Sequence, residues 1–169
     1  MDTLECIRTR PATRGFLTQR IPEEVIQKIL QAGRQAHSQR NRQPCRFIVI
    51  QNKDTLTQLG ELASSGPFIS QSPLAIAVAV EGAKNPSVDG TRAVECLMLA
   101  AWSEGVGSCW VGGIDRHNAK ELLGIPEDAE LITVIPFGYP TNEEKTQKKV
   151  RKGLSKLAYR EHYGEPYRK

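Results

Sequence analysis

The sequence predicts an α+β fold in which helices pack around a central sheet. Two runs of strand length, Leu74 to Val80 and Leu131 to Phe137, are almost entirely apolar, so each should be covered on both faces. Amphipathic stretches with helical spacing surround them, yet helices and strands do not alternate in the regular beat of βαβ units. The chain of 169 residues suits a single domain spanning 1–169.

The elements follow in order. Asp2 and Thr3 can cap a short helix carrying Leu4 and Ile7. An arginine-rich polar segment, 8–16, comes next. Pro22, Glu23 and Glu24 start a second helix, because proline suits a helix start and acids suit the helix dipole. Val25, Ile26, Ile29 and Leu30 form its apolar stripe. Asn41 to Pro44 is a loop, and Phe47 to Ile50 a short strand. Leu56, Leu59, Leu62 and Ala63 mark a third helix. Ala93 to Trp102 is helical and nearly all apolar, which predicts a subunit interface, since such a helix must be covered all round. Cys109 to Val111 reads as a strand running into Gly112-Gly113. Asp115 caps a helix holding Ala119, Leu122 and Leu123, with Gly124 as its stop. Leu154, Leu157 and Ala158 suggest a last helix.

Composition narrows the function. No apolar run approaches the ~18 residues of a membrane span. The acidic start, Met1 to Glu5, does not resemble an export signal, so a cytoplasmic protein is expected. Cys6, Cys45, Cys96 and Cys109 lack metal-ligand spacing and read as free thiols. Residues 141–169 carry a net charge of +5 against +4 for the whole chain, so the positive charge belongs to the C-terminal segment. Its densest run is Lys145, Lys148, Lys149, Arg151 and Lys152. That run could be a solvated tail, a nucleic-acid surface, or a segment folded back to hold a phosphate; spacing does not choose among them.

Familiar catalytic motifs are absent. There is no Walker loop, no Gly-x-Ser-x-Gly elbow and no Gly-x-Gly-x-x-Gly. His37, His117 and His162 are scattered, so no acid–base catalyst is assigned. Arginines and amides on irregular backbone remain: Arg8, Arg10 and Arg14; Ser38, Asn41 and Gln43; and the pair Gly112-Gly113. Arginine forks suit phosphate, and amides suit a heterocycle with donors and acceptors. Together they suggest a flat phosphorylated ligand.

At these residues the sequence resembles the nitroreductase family. Ile7 to Phe16 is similar to the family's opening Ile-x-x-Arg-Arg-Ser-x-Arg-x-Phe, and Ala36 to Phe47 to Ala-Pro-Ser-x-x-Asn-x-Gln-Pro-Trp-x-Phe. Gly105 to Trp110 resembles Gly-Leu-Gly-Thr-Cys-Trp, and Gly138-Tyr139-Pro140 the family's Gly-Tyr-Pro. The resemblance implies a mostly antiparallel sheet surrounded by helices. It implies a homodimer with two FMN sites at the interface, and no nucleic-acid or membrane partner. Hydride would pass from NADH or NADPH through flavin N5 to a nitroaromatic, quinone or other electron-poor ring, by ping-pong kinetics. The alternatives are a non-catalytic FMN-storage protein or another reaction of the same superfamily, reductive dehalogenation or flavin fragmentation.

The implied flavin contacts are Arg8, Arg10, Pro11, Ala12 and Arg14 from the first motif. The second supplies His37, Ser38, Gln39 and Asn41 from the partner subunit. Trp110, Val111, Gly112 and Gly113 follow the third, and Lys149 and Arg151 come from the basic tail. Arg10, Lys149 and Arg151 would hold the phosphate, Arg14 would face the N1/C2=O edge, and the backbone N–H groups of Gly112 and Gly113 would face N5 and O4. Three residues depart from the pattern: Ala12 stands for serine, His37 for proline and Cys45 for tryptophan.

Overall fold

In the computed structural model of the chain, which describes residues 1–145 and 149–167, four strands form one antiparallel sheet. These are β1 (Cys45–Ile50), β2 (Leu74–Val80), β3 (Gly107–Ser108) and β4 (Glu130–Gly138), in the order β1-β2-β4-β3. Six α-helices are present among the described residues: α1 (Thr3–Thr9), α2 (Glu23–Arg34), α3 (Lys53–Leu62), α4 (Pro86–Ser103), α5 (Arg116–Leu123) and α6 (Asn142–Lys145). Lys148 of the basic run lies outside the described residues.

The central strands are the two apolar runs. All seven residues of β2 are buried. Its side chains alternate, as a pleated strand requires. Ala75, Ala77 and Ala79 pack with residues of α3 and α5, and Leu74, Ile76 and Val78 with residues of α2 and α4. Alanines on one face let the first pair of helices approach closely; branched side chains fill the other. The β2–β4 register shifts between Val78 and Ala79, a bulge beside Thr133.

Helix starts follow local chemistry. The carboxylate of Asp2 accepts from the Glu5 N–H, Asn52 accepts from Thr55, and Asp115 from Asn118. These caps satisfy amides that have no partner within the helix. Gly124 ends α5 at φ 65°, as read from its position. Gly90 lies where α4 crosses the sheet. A methyl there would sit 2.4 Å from Ile132 Cγ1 and 3.2 Å from Val80 Cγ2.

Three expectations change. Cys109 to Val111 is not a strand; the third strand is Gly107–Ser108. After Ser108 the chain leaves the sheet, and the Val111 carbonyl accepts from the Thr133 hydroxyl at 2.8 Å instead of from a ladder amide. The last helix is only a single 3₁₀ turn, Leu154–Lys156, with Leu154 and Leu157 exposed and making no apolar stripe against the core. The apolar helix is longer than expected, and much of its apolar surface is covered within the chain. Ala93, Val94, Leu97, Met98 and Ala101 are buried, whereas Val88, Thr91, Arg92 and Glu95 face outward and Cys96, Leu99 and Ala100 are half-buried. Among the described residues no helix is long and apolar enough to cross a membrane.

Candidate functional site

The arginine-rich segment is pinned to the β3–β4 edge of the sheet. The Thr13 N–H donates to the Ser108 carbonyl at 3.0 Å, Leu17 donates to Tyr139 at 2.8 Å, and Thr141 donates to Gly15 at 3.2 Å. Gly107 permits this path, because a methyl on it would lie 2.4 Å from Thr13 Oγ1. Arg10 thereby stands at the C-terminus of α1 beside α4. Its guanidinium reaches Glu95 at 2.8 Å.

Residues from the far end of the chain meet Arg10 there. Lys149 Nζ donates to the Arg8 and Ile7 carbonyls at 3.1 and 3.3 Å, capping the end of α1. Arg10, Lys149 and Arg151, with Ile7, Pro11, Ala12 and Val150, line a cleft of about 530 Å³. Arg8 is exposed and is not among the residues lining it. Burial lowers the pKa of the Lys149 ammonium, and the charges of Arg10 and Arg151 lower it further. Arg10 Nε is buried and has no hydrogen-bond partner among the described residues. The cations of the cleft thus repel one another, and Glu95 stands at its edge.

A second set flanks the segment after β3. Arg14 is exposed, with Nη1 3.4 Å from the Ala12 carbonyl. Burial raises the pKa of the Cys109 thiol, and the Arg14 charge opposes that. Trp110 is exposed and Val111 buried. The Gly112 N–H has no hydrogen-bond partner among the described residues. The Gly113 N–H does: it donates to Ser65 Oγ at 2.7 Å, and the Gly113 carbonyl accepts from the Ser65 N–H at 3.2 Å. Of the two glycines, only Gly112 offers a free amide.

The third set is a strained loop. Arg40, Asn41 and Gln43 have φ of 53°, 54° and 52°, a region costly for residues with a Cβ. Ser38 holds it: its hydroxyl accepts from the Gln43 N–H at 2.8 Å, and its carbonyl from Asn41 at 3.1 Å. The Gln39 N–H donates to Asp89 on α4 at 3.2 Å. His37, Ser38 and Asn41 line a groove of their own, about 580 Å³, which shares no lining residue with the Arg10 cleft. Both borders touch α4, at Asp89 and Glu95. Six residues at about 1.5 Å rise separate these contacts by roughly 9 Å along the helix.

Sequence reasoning missed Glu95, Asp89, Ser65 and Thr133. Glu95 had a signal, as the one acid inside the apolar run 93–102. Ser65 and Thr133 had none, since their roles depend on which loop crosses them in three dimensions.

An antiparallel sheet clad in helices, with cations from two distant segments of the chain lining one cleft, defines an α+β protein with an electropositive cleft. Within that class the chain belongs to the nitroreductase family. The family profile described as "Putative TM nitroreductase" matches residues 2–166. A Methanothermobacter thermautotrophicus protein named "Putative NADH dehydrogenase/NAD(P)H nitroreductase" is 35% identical over 156 residues, covering 87% of this chain and 82% of that one. A solved structure under the same name, from Bacteroides thetaiotaomicron, superposes with a TM-score of 0.86 at 26% identity, covering 96% of both chains. An FMN-dependent nitroreductase from Clostridium difficile shares the fold, with a TM-score of 0.80 at 24% identity over 96% of this chain and 99% of that one. The chain is thus a member of a family of NAD(P)H nitroreductases and flavin oxidoreductases.

Proposed function

We propose that the chain is an FMN-dependent oxidoreductase that takes hydride from NADH or NADPH and passes it to a nitroaromatic, a quinone or a related electron-poor ring. The observation that carries this reading is the cleft of Arg10, Lys149 and Arg151. Three cations with one edge carboxylate are mutually repulsive until a dianion enters. Among the described residues the buried Arg10 Nε has no acceptor, and a phosphate oxygen would provide one. The residues therefore fit a flavin mononucleotide held by its phosphate.

In this reading Pro11 and Ala12 form the apolar wall of the cleft. Ala12 contributes no hydroxyl, so the three cations hold the phosphate without it. Arg14 faces the N1 edge, where charge develops on reduction, and favours that charge electrostatically. The Gly112 N–H and the exposed Trp110 border the ring. Ser38, Gln39 and Asn41 reach the ring from a second copy, which the separation of the two grooves along α4 supports. When bound, the flavin supplies hydride transfer in both directions; the chain supplies orientation and charge.

The test is an absorption spectrum of the purified protein under argon, before and after adding each nicotinamide. A flavin band bleached by NADH or NADPH, and restored by a nitroaromatic or quinone, is expected. A protein with no flavin band and no uptake of added FMN would overturn the assignment. A flavin band that neither nicotinamide bleaches would reduce the chain to a flavin carrier.

A further inference from the structure

The segment after β3 contains two successive peptide planes whose polar ends are held by the body of the protein. The first plane joins Val111 to Gly112. Its carbonyl accepts from the Thr133 hydroxyl at 2.8 Å, and both residues are fully buried. The Val134 carbonyl, at 3.5 Å, is the poorer acceptor for that hydroxyl. The second plane joins Gly112 to Gly113. Its N–H donates to Ser65 Oγ at 2.7 Å, and its carbonyl lies 3.5 Å from Arg116 Nη2. Of the four polar ends, only the Gly112 N–H has no partner among the described residues.

The hold on the first plane decides where that N–H points. In a trans peptide the carbonyl and the following N–H lie in one plane and point opposite ways. Thr133 grips the Val111 carbonyl from inside, so the Gly112 N–H is aimed outward. An accepted hydrogen bond also polarises the amide and makes its N–H a stronger donor. Gly112 makes the grip necessary, because without a Cβ on one side the plane can turn over with little steric resistance. A methyl on Gly112 would find only Trp110 Nε1, 4.0 Å away, so the N–H opens onto free space.

Arg116 secures the strand from which Thr133 acts. The register pairs Val78 with Thr133 and Ala79 with Leu131, which leaves Ile132 without a partner across the ladder. Arg116 donates to the Leu131 carbonyl at 3.1 Å and to the Ile132 carbonyl at 3.3 Å. A cation at the first residue of α5 opposes the helix dipole. These bonds account for its place there.

We infer that Thr133 and Arg116 are positioning residues that hold the Gly112 N–H outward as one fixed donor to flavin N5, and so help to set the flavin's two-electron potential. This rests on the oxidoreductase reading. Oxidised N5 is an acceptor; once it has taken hydride it bears a hydrogen of its own. A fixed donor therefore favours the oxidised ring. With the plane turned over, the Val111 carbonyl faces N5 instead and favours the reduced ring.

The test is a dye-coupled redox titration of the flavin-loaded protein. Thr133→Val keeps the shape and removes the hydroxyl. It should raise the two-electron potential by about 15–30 mV, a three- to tenfold change in the preference for reduced flavin. Thr133→Ser keeps the hydroxyl and should hold the parental potential. An unchanged or lowered potential in Thr133→Val, or an equal rise in Thr133→Ser, would overturn the assignment. If Thr133→Val does not fold, Arg116→Met, at the exposed start of α5, takes its place with the same expected direction and the same refutation. The two readings fail separately. A flavoprotein bleached by a nicotinamide, but with a potential indifferent to Thr133, keeps the oxidoreductase and loses the lock. In a protein that takes up no FMN the oxidoreductase fails, and the Gly112 amide nitrogen resonance then reads the lock alone: movement in Thr133→Val but not in Thr133→Ser keeps it, and no movement overturns it.

Discussion

Replacing Arg10 and Arg151 together with alanine strips the cleft of two of its three cations. A hydrogen bond to a charged group is worth about 1.5–3 kcal/mol. Arg10, with 21% of its side chain exposed, belongs at the upper end of that range, and the exposed, solvent-screened Arg151 at the lower. The pair should therefore contribute about 3–5 kcal/mol. At 1.4 kcal/mol per decade, the FMN dissociation constant should rise by roughly two to three and a half orders of magnitude. Glu95, 2.8 Å from Arg10, would be left facing the dianion and adds to the loss. The fold should tolerate the change, because a partly exposed ion pair contributes only about 0–1 kcal/mol. Quenching of flavin fluorescence on titrating FMN into flavin-free protein measures the effect, with Glu95→Gln in the parent as a control expected to bind at least as tightly. A double variant whose affinity stays within tenfold of the parent would show that the phosphate lies elsewhere.

Four further outcomes are expected. Burial and the neighbouring cations lower the Lys149 pKa while phosphate favours its charged form, so FMN affinity should decline as pH rises through that lowered value; Lys149→Met should flatten the alkaline slope of a pH-resolved titration. Arg14→Ala should keep the flavin but lower its two-electron potential by about 30–60 mV, and an unchanged potential in a dye titration would remove Arg14 from the N1 edge. Gly90→Ala sets a methyl 2.4 Å from Ile132 Cγ1; overpacking of about 1–3 kcal/mol exceeds the ~0.5–1 kcal/mol helix gain, so Tm should fall by about 2–6 °C, whereas a rise on thermal denaturation would mean that α4 has slack over the sheet. Val88→Glu, on the outward face of α4, should convert dimer to monomer in sedimentation and lose flavin with it; a variant that still sediments as a flavin-loaded dimer would move the interface elsewhere.

The buried strands and capped helices were legible because their signals are local. The runs at 74–80 and 131–137 and the caps at Asp2 and Asp115 need only neighbouring residues to act. β3 was misread because Cys-Trp-Val has strand propensity, and the Val111 carbonyl's bond to Thr133, 22 residues away, was invisible. For α4, composition showed that the helix needs cover but could not show how much of that cover the chain itself supplies, as where Leu97 packs against Gly33. Of the candidate site, Arg10 was legible by motif and its meeting with Lys149 and Arg151 by resemblance. The commitment of the Gly113 amide to Ser65 was not, because two adjacent serines in a turn resemble any other surface turn.

The Arg10 cleft joins a residue near the start of the chain to two near its end, Lys149 and Arg151. On the proposed reading, the grip on a phosphate forms only after the segment carrying Lys149 and Arg151, about 140 residues beyond Arg10, has left the ribosome. A chain cut before Lys149 would keep Arg10 alone at the cleft, so colour in a truncation series would report whether that late segment has joined the early one.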